Sequence, residues 1–507
     1  MNIIYRIMLS VLLGLCITGC RKHLEEKSQD EIKPSSVTEL QQLLMGEVYP
    51  AGSKQPSFHA YLDMLTDDVS SNYNPDKAAA NTYKKYAPAF SWRDDMFELM
   101  EAAQVHDPID TYEHYYRRIM GCNVVLDMID KVRGEETDRE NVRGQALAMR
   151  GYFYFMLVNL YGQPYNAAGV DINTSPGVEL ILSSVVHDVN PERVSVARIY
   201  EQVEADLLNA LPLMEQYGKD NSKYRVTDVF VYNLLSRMYL YMEKWEAAKK
   251  YASLGLARNP SLMRLADLKK PYYDNYQPAD NVYSSSSVEA IWLGYASTDE
   301  YLGVSLIPEG APLFQVSPDL QSKYDYHPDN STNRGDLRLR FFHHWEYEDG
   351  CCWTIPYVLT GGKYKDGATS SEPTKGMRVA ELYLNRAESN IQLYLKNNDE
   401  ALRKAALDDL NNLRSFRYDT RNVAYVPVDY SGTALLDFYR DERRRELSFE
   451  DHRWFDLRRY GMPEIHHVLQ TTAGQPVTYI LQKADKRYVL PFRRSVLAKN
   501  PAMVPNP

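Results

Sequence analysis

The chain has 507 residues and a formal net charge of −10, with 40 Tyr against 14 Phe. The length suits one large domain or two fused ones, and the acidic balance argues against nucleic acid, since phosphate binding needs clustered Lys and Arg. A phenol joins an apolar ring face to a hydroxyl, so the tyrosine bias suits wet recognition surfaces as well as amphipathic cores.

In chain order, the first feature is a processing signal. Arg6 is the sole charged side chain before Cys20, and Ile7 to Ile17 is an almost unbroken apolar run, too short to span a bilayer but long enough for a signal-peptide core. The run ends at Ile17-Thr18-Gly19-Cys20, which resembles the lipobox of bacterial lipoproteins. That resemblance implies cleavage after residue 19 and a lipid on Cys20, and two or more acyl chains hold a protein at a membrane stably. Residues 1–19 are thus read as signal peptide. Residues 20–36 are read as lipidated cysteine and polar tether, able to stretch about 40 Å. No later run reaches transmembrane length.

Beyond the tether, helices are expected to dominate. Tyr112, Tyr115, Ile119, Cys122, Leu126 and Ile129 recur at steps of three and four, an amphipathic stripe. A second helix is predicted from Thr137, with Thr137 and Glu140 as a capping box, a stripe of Val142, Ala146, Met149, Phe153, Met156 and Leu160, and a stop at Gly162. Ser195 is placed to cap a third. Ser236, Tyr239, Ala248, Ala252, Gly255 and Pro260 stand at the spacings of a tetratricopeptide pair. Met377, Ala380, Leu384, Ala387 and Ile391, then Ala401, Ala405 and Leu410, predict another pair. Stretches 47–108, 161–191 and 270–371 read as long loops with short strand-like runs at 290–295 and 337–342, and loops on a rigid scaffold tend to carry recognition residues.

Several segments, in order behind the lipobox, resemble the SusD/RagB family: RGQALAMRGYFYFMLVNLYGQP at 143–164, the tetratricopeptide-like pair, RVAELYLNRAES at 378–389 with LNNLRSFR at 410–417, and DERRRELSFEDHRWFDLRRYG at 441–461. The resemblance implies a mostly α fold, with tetratricopeptide-type helix pairs packed against a loop-rich half that has a few short strands. It divides the mature chain into an N-terminal region at 37–265 and a C-terminal region at 266–507. It also implies a lipid-anchored outer-membrane protein that faces the exterior, captures a glycan or in some members a peptide, and closes over a SusC-like TonB-dependent transporter. No cofactor is implied.

Catalytic motifs are not evident. Glu442, Glu446 and Glu450 recur at helical spacing, but Arg443, Arg444, Arg445, Arg453, Arg458 and Arg459 are interleaved with them. Nearby guanidinium groups lower carboxylate pKa values, whereas a general acid needs its value raised, so an ion-pair network around Trp454 and Leu457 is expected and no enzyme activity. The histidine pairs His343-His344 and His466-His467 offer no metal spacing, because neighbours on a strand point to opposite faces. Asn72, Asn74 and Asp76 lack the rest of a calcium loop. Cys122 reads as a core thiol, and a vicinal bridge between Cys351 and Cys352 is opposed by the separation of about 3.8 Å between adjacent α carbons.

Ligand contacts are therefore sought among loop aromatics with polar neighbours, because sugar C–H faces rest on aromatic rings and hydroxyls need polar partners. One cluster offers Asp67, Asn72, Tyr73, Tyr83 and Trp92, and the other Tyr273, Tyr283, Trp345 and Trp353. Trp92 fits a ligand face and a core position equally well, while Trp292 and Trp245 read as core. The preferred function is oligosaccharide capture beside the transporter. The alternatives are peptide capture and a helical scaffold without a small ligand.

Overall fold

The computed structural model describes residues 33–50, 58–73, 77–103, 110–185, 191–219, 222–268, 282–295, 313–327, 329–330, 332–345, 358–359, 375–470 and 475–506. Cys20, Tyr273, Trp353, Cys351 and Cys352 lie outside them, as does the side chain of Trp345.

The chain enters with α1 (Val37–Leu43), where Ser36 Oγ accepts from the Glu39 N–H as N-cap, and a π turn follows. β1 (Val69–Ser71), α2 (Lys77–Phe90) and α3 (Met96–Ala102) occupy the stretch expected to be loop. Pro88 falls inside α2, which obscures the helix in the sequence because proline cannot donate to the backbone ladder.

Next come α4 (Thr111–Met128) and α5 (Glu136–Tyr161). Both stripes are buried as expected, except that Val125 rather than Leu126 lies at full depth in α4. The Thr137–Glu140 capping box is not formed: α5 starts at Glu136 with no side-chain cap, and Thr137 instead accepts from Lys219 Nζ at 3.1 Å. β2 (Pro176–Glu179) and β3 (Arg193–Ser195) form a small antiparallel pair ahead of α6 (Val196–Tyr217), whose N-cap Ser195 accepts from the Arg198 N–H. Gly144 and Gly151, seven residues apart and so on one face of α5, lie against α6. A Cβ on either would come within 2.8 Å of Met214 Sδ or 3.2 Å of Leu207. Beside them Arg150 grips Asp206 of α6 through Nε and Nη2 at 2.8 and 2.7 Å.

The tetratricopeptide spacing resolves into α7 (Asp228–Tyr241) and α8 (Trp245–Arg258). Ser236 Oγ donates to the Ala248 carbonyl at 3.0 Å across the pair, and Trp245 packs partly buried against the core. β4 (Ala290–Tyr295) is fully buried and carries Trp292. After it come β5 (Phe314–Val316), α9 (Pro318–Ser322), β6 (His344–Trp345), β7 (Val358–Leu359) and β8 (Lys375–Arg378). The run at 337–342 is no strand: Leu339–His343 is a π turn. Met377 belongs to β8, which pairs antiparallel with β4.

α10 (Val379–Asn397) and α11 (Glu400–Ser415) form the second predicted pair. The buried face of α11 is Ala406, Leu407, Leu410 and Leu413, not Ala401 and Ala405. α12 (Gly432–Leu447), α13 (Arg453–Arg459), the hairpin β9 (Ile465–Leu469) and β10 (Val477–Leu481), and α14 (Arg494–Lys499) complete the chain. Helices thus predominate over short two-stranded sheets, and one hydrophobic cluster runs from Val37 to Met503 through both predicted regions. No helix among the described residues is long and apolar enough to cross a membrane.

Candidate ligand-binding face

The arginine-rich segment is interior. Arg338, Arg378, Arg414, Arg417 and Arg445 interleave with Asp336, Glu289, Glu442, Glu446 and Glu450, all of them buried. Burial by itself would favour the neutral acids, but Arg338, Arg414 and Arg445 outweigh it and hold Glu442 well below the usual carboxylate range. Arg417, Arg378 and Arg338 do the same for Glu446. A carboxylate so held cannot serve as a general acid near neutral pH, and the expected ion-pair reading of 441–459 stands. Trp454 is buried and stacks on Tyr488 at 5.0 Å.

Arginines of the same segment reach out from α12 and α13 to anchor the loop that carries the first candidate cluster. Arg444 Nε donates to Asp68 Oδ1 at 2.6 Å, and Arg453 holds both oxygens of Asp67 at 2.7 Å. Asp67 thus anchors the loop, while its side chain stays 30% exposed. Burial opposes its charge, yet Arg444 and Arg453 keep its pKa well below the ordinary value.

Trp92 is corrected from ligand contact to core residue, being 3% exposed. It sits in left-handed backbone at φ 51°, donates Nε1–H to the Leu65 carbonyl at 3.0 Å, and stacks on His467 at 4.1 Å. Phe90 covers the other face of that imidazole at 4.0 Å. β9 turns His467 inward and His466 outward, as strand alternation requires. Tyr283, 1% exposed, is the second correction: its hydroxyl donates to Glu450 inside the core.

What remains at the surface is a coherent patch. β1 pairs antiparallel with β5, and the chain leaves β1 through Asn72 and Tyr73. Tyr73 is 58% exposed. The Asn72 N–H donates to the Leu313 carbonyl at 2.7 Å, and Gln315 Nε2 donates to Asn72 Oδ1 at 3.1 Å, so the two amides hold each other in place. The β9–β10 hairpin adjoins β1, where the Gln470 N–H donates to Ser71 Oγ at 3.0 Å. Tyr83 of α2 is partly buried against the core, and its hydroxyl pKa is pushed up by burial and by neighbouring Tyr479 of β10. The patch thus offers an exposed ring beside a pair of amides held in fixed orientation.

Gln315 and Tyr479 were missed in the sequence. Gln315 reaches the patch through a pairing more than 240 residues long in sequence separation, for which no local pattern exists. Tyr479 lies in a run of β-branched and aromatic residues, Val477-Thr478-Tyr479-Ile480, whose composition is the one local signal for a strand there. In the second cluster, the backbone of Trp345 pairs with Val358 in the β6–β7 ladder. Among the described residues no group of three His, Cys, Asp or Glu side chains is placed to hold a metal ion. Cys122 is a buried free thiol whose pKa burial pushes far up, so it is inert.

The architecture is that of a helical-repeat protein, with stacked helix pairs carrying a face built from short strands and loops. Two family models match it: one described as "Starch-binding associating with outer membrane" over residues 22–240, and the SusD family model over residues 343–507. The chain belongs to the SusD/RagB family. Solved structures agree on the fold. A SusD-like carbohydrate binding protein from Bacteroides vulgatus is 21% identical, with TM-score 0.63, over 93% of this chain and 98% of that one. A SusD superfamily protein from Bacteroides thetaiotaomicron is 21% identical, TM-score 0.63, over 93% and 100%. One from Bacteroides fragilis is 21% identical, TM-score 0.65, over 93% and 99%. No curated protein matches the chain.

Proposed function

We propose that this chain is a lipid-anchored outer-membrane lipoprotein, facing the exterior, that binds an oligosaccharide and passes it to a SusC-like TonB-dependent transporter without chemically altering it. Family membership supports the general role. The observation that carries the glycan reading is the exposed ring of Tyr73 beside the Asn72–Gln315 amide pair. A flat ring and oriented amides are the groups a sugar face and its hydroxyls need, and the anchoring of Asp67 and Asp68 from below holds that loop without consuming its outer surface. Trp345, Trp353 and Tyr273 are proposed as further contacts.

Calorimetric titration of the chain from residue 21 with oligosaccharides and peptides tests the reading. Saturable heat from a glycan, weakened at least tenfold by Tyr73→Ala, is expected. Binding to peptides alone would replace glycan by peptide capture, and silence from both would favour a scaffold. The intact mass of the native membrane-extracted protein tests the anchor: an unmodified Cys20 removes it.

A further inference from the structure

The segment 421–431, which links α11 to α12, displays apolar side chains and ties its polar groups inward. Val426 is 78% exposed and Tyr430 41%, and Val423 is exposed as well. A single exposed apolar residue is ordinary, whereas several on one short stretch mark a contact surface. Asn411 of α11 binds both backbone groups of Val428, donating Nδ2–H to the carbonyl at 3.0 Å and accepting the N–H on Oδ1 at 2.8 Å. Tyr425 donates its hydroxyl to the same Oδ1 at 2.8 Å and accepts from Arg414 Nε at 3.0 Å. The link is therefore held from beneath, on a fixed frame.

Tyr430 adds an aromatic platform. Phe438 of α12 covers one face of its ring, with centroids 4.6 Å and planes 26° apart. The Arg414 guanidinium in turn lies 5.1 Å from the Phe438 centroid. The exposed area of Tyr430 thus belongs to its edge and its other face.

The charge beside this ring is unbalanced. Arg403 Nη1 donates to Asp429 Oδ1 at 2.6 Å and to the Tyr430 carbonyl at 3.0 Å, and its Nε donates to Glu400 Oε2 at 2.6 Å. One guanidinium therefore serves two carboxylates, and both stay open to solvent, Asp429 at 77% exposure. Asp437, next to Phe438, is also exposed, with Arg440 3.9 Å away. On the same helix as Arg403, by contrast, Lys404 matches Asp408 one to one at 2.8 Å.

A ring face and a surplus carboxylate both attract a cation. Exposed valines suit apolar side chains better than the hydroxyl-rich surface of a sugar. We propose that the 421–431 link is a docking surface for a peptide segment of a partner protein in which arginine or lysine alternates with apolar residues. The cation sits at Tyr430, Asp429 and Glu400, and the apolar side chains lie on Val423 and Val426. This surface goes beyond the glycan reading and shares no residue with the Tyr73 face.

The test uses the chain from residue 21 with methyl-labelled valine, titrated with a capped pentapeptide that alternates valine with arginine and lysine. Saturable shifts of the Val423 and Val426 methyl signals are expected. Affinity should fall about three- to fivefold in Tyr430→Ala and in Asp429→Asn, and fall again as salt is raised. An analogue with citrulline and norleucine in place of the two cations should bind at least about threefold more weakly. Equal binding of that analogue overturns the proposal. So does an absence of shifts at millimolar peptide, or a shift of these two methyls by oligosaccharides alone. Asp429→Asn should leave the glycan titration unchanged, so the two readings fail separately. Should Tyr430→Ala disturb the fold, Asp429→Asn and the uncharged analogue decide.

Discussion

Arg378 Nη1 lies 2.9 Å from Glu446 Oε1, and neither side chain is exposed. The same carboxylate is shared with Arg417 at 2.9 Å and Arg338 at 3.2 Å, so one glutamate ties together three buried cations that arrive from β8, from the end of α11 and from the 332–338 loop. Removing one member of such a group leaves its partners charged and unpaired, which is more damaging than losing a surface pair. Glu446→Gln is expected to lower unfolding free energy by about 3–5 kcal/mol, read as a shift in the urea midpoint. A stable variant with an unchanged midpoint would show that the network is not a structural keystone.

Acid should weaken the fold in two stages. Burial depresses His452 to about 4 from its ordinary 6.5, against the opposing pull of Glu381, and burial likewise takes His467 to about 4 although two carbonyls oppose it. In the unfolded chain these histidines protonate near 6.5, so between pH 6.5 and 4 the unfolded state binds more protons and stability falls as pH falls. Each contributes a slope of about 1.4 kcal/mol per pH unit in that window. Lower down, Glu381 and Asp456 oppose burial with help from Arg237 and Arg443 respectively and sit at about 2. Their contribution is present above the unfolded value and is lost as pH falls toward 2. Urea melts from pH 7 to 3 check this, and a flat midpoint between pH 7 and 5 would refute the histidine part.

Two aromatic residues of one loop region should separate cleanly. Trp92→Ala empties a core position between Leu65 and His467, with an expected cost of about 3–5 kcal/mol, whereas Tyr73→Ala at an exposed site should change stability by no more than about 0.5 kcal/mol. If the positions matter as placed, thermal melts single out Trp92 and ligand titrations single out Tyr73. The reverse pattern would mean that the two exchange places in the folded protein.

Gly376 offers a test of the β4–β8 pairing. A Cβ there would stand 1.9 Å from the Trp292 carbonyl oxygen, and backbone cannot yield as a flexible side-chain end can. Gly376→Ala is expected to cost more than about 2 kcal/mol and to loosen the strand pair. Amide hydrogen exchange at 290–295 should accelerate selectively, and native-like protection would count against the register.

The sequence by itself settled what depends on local periodicity. The stripes of α4 and α5, the α7–α8 spacing and the opposite facing of His466 and His467 follow from side chains repeating at 3.6 or 2 residues, and Ser195 as a cap follows from its place just before such a stripe. Interleaving Arg with Glu in 441–459 was enough to foresee ion pairs, because opposite charges that dense neutralise one another wherever they fold. Tertiary structure alone decided which loop groups face water. Trp92 and Tyr283 look like ligand contacts in sequence and become core residues, and Asp67 becomes an anchor, because His467, Glu450 and Arg453 arrive from more than 160 residues away. The Asn72–Gln315 pair depends on contact at similar range, and no local pattern encodes which distant strand a short β segment will meet.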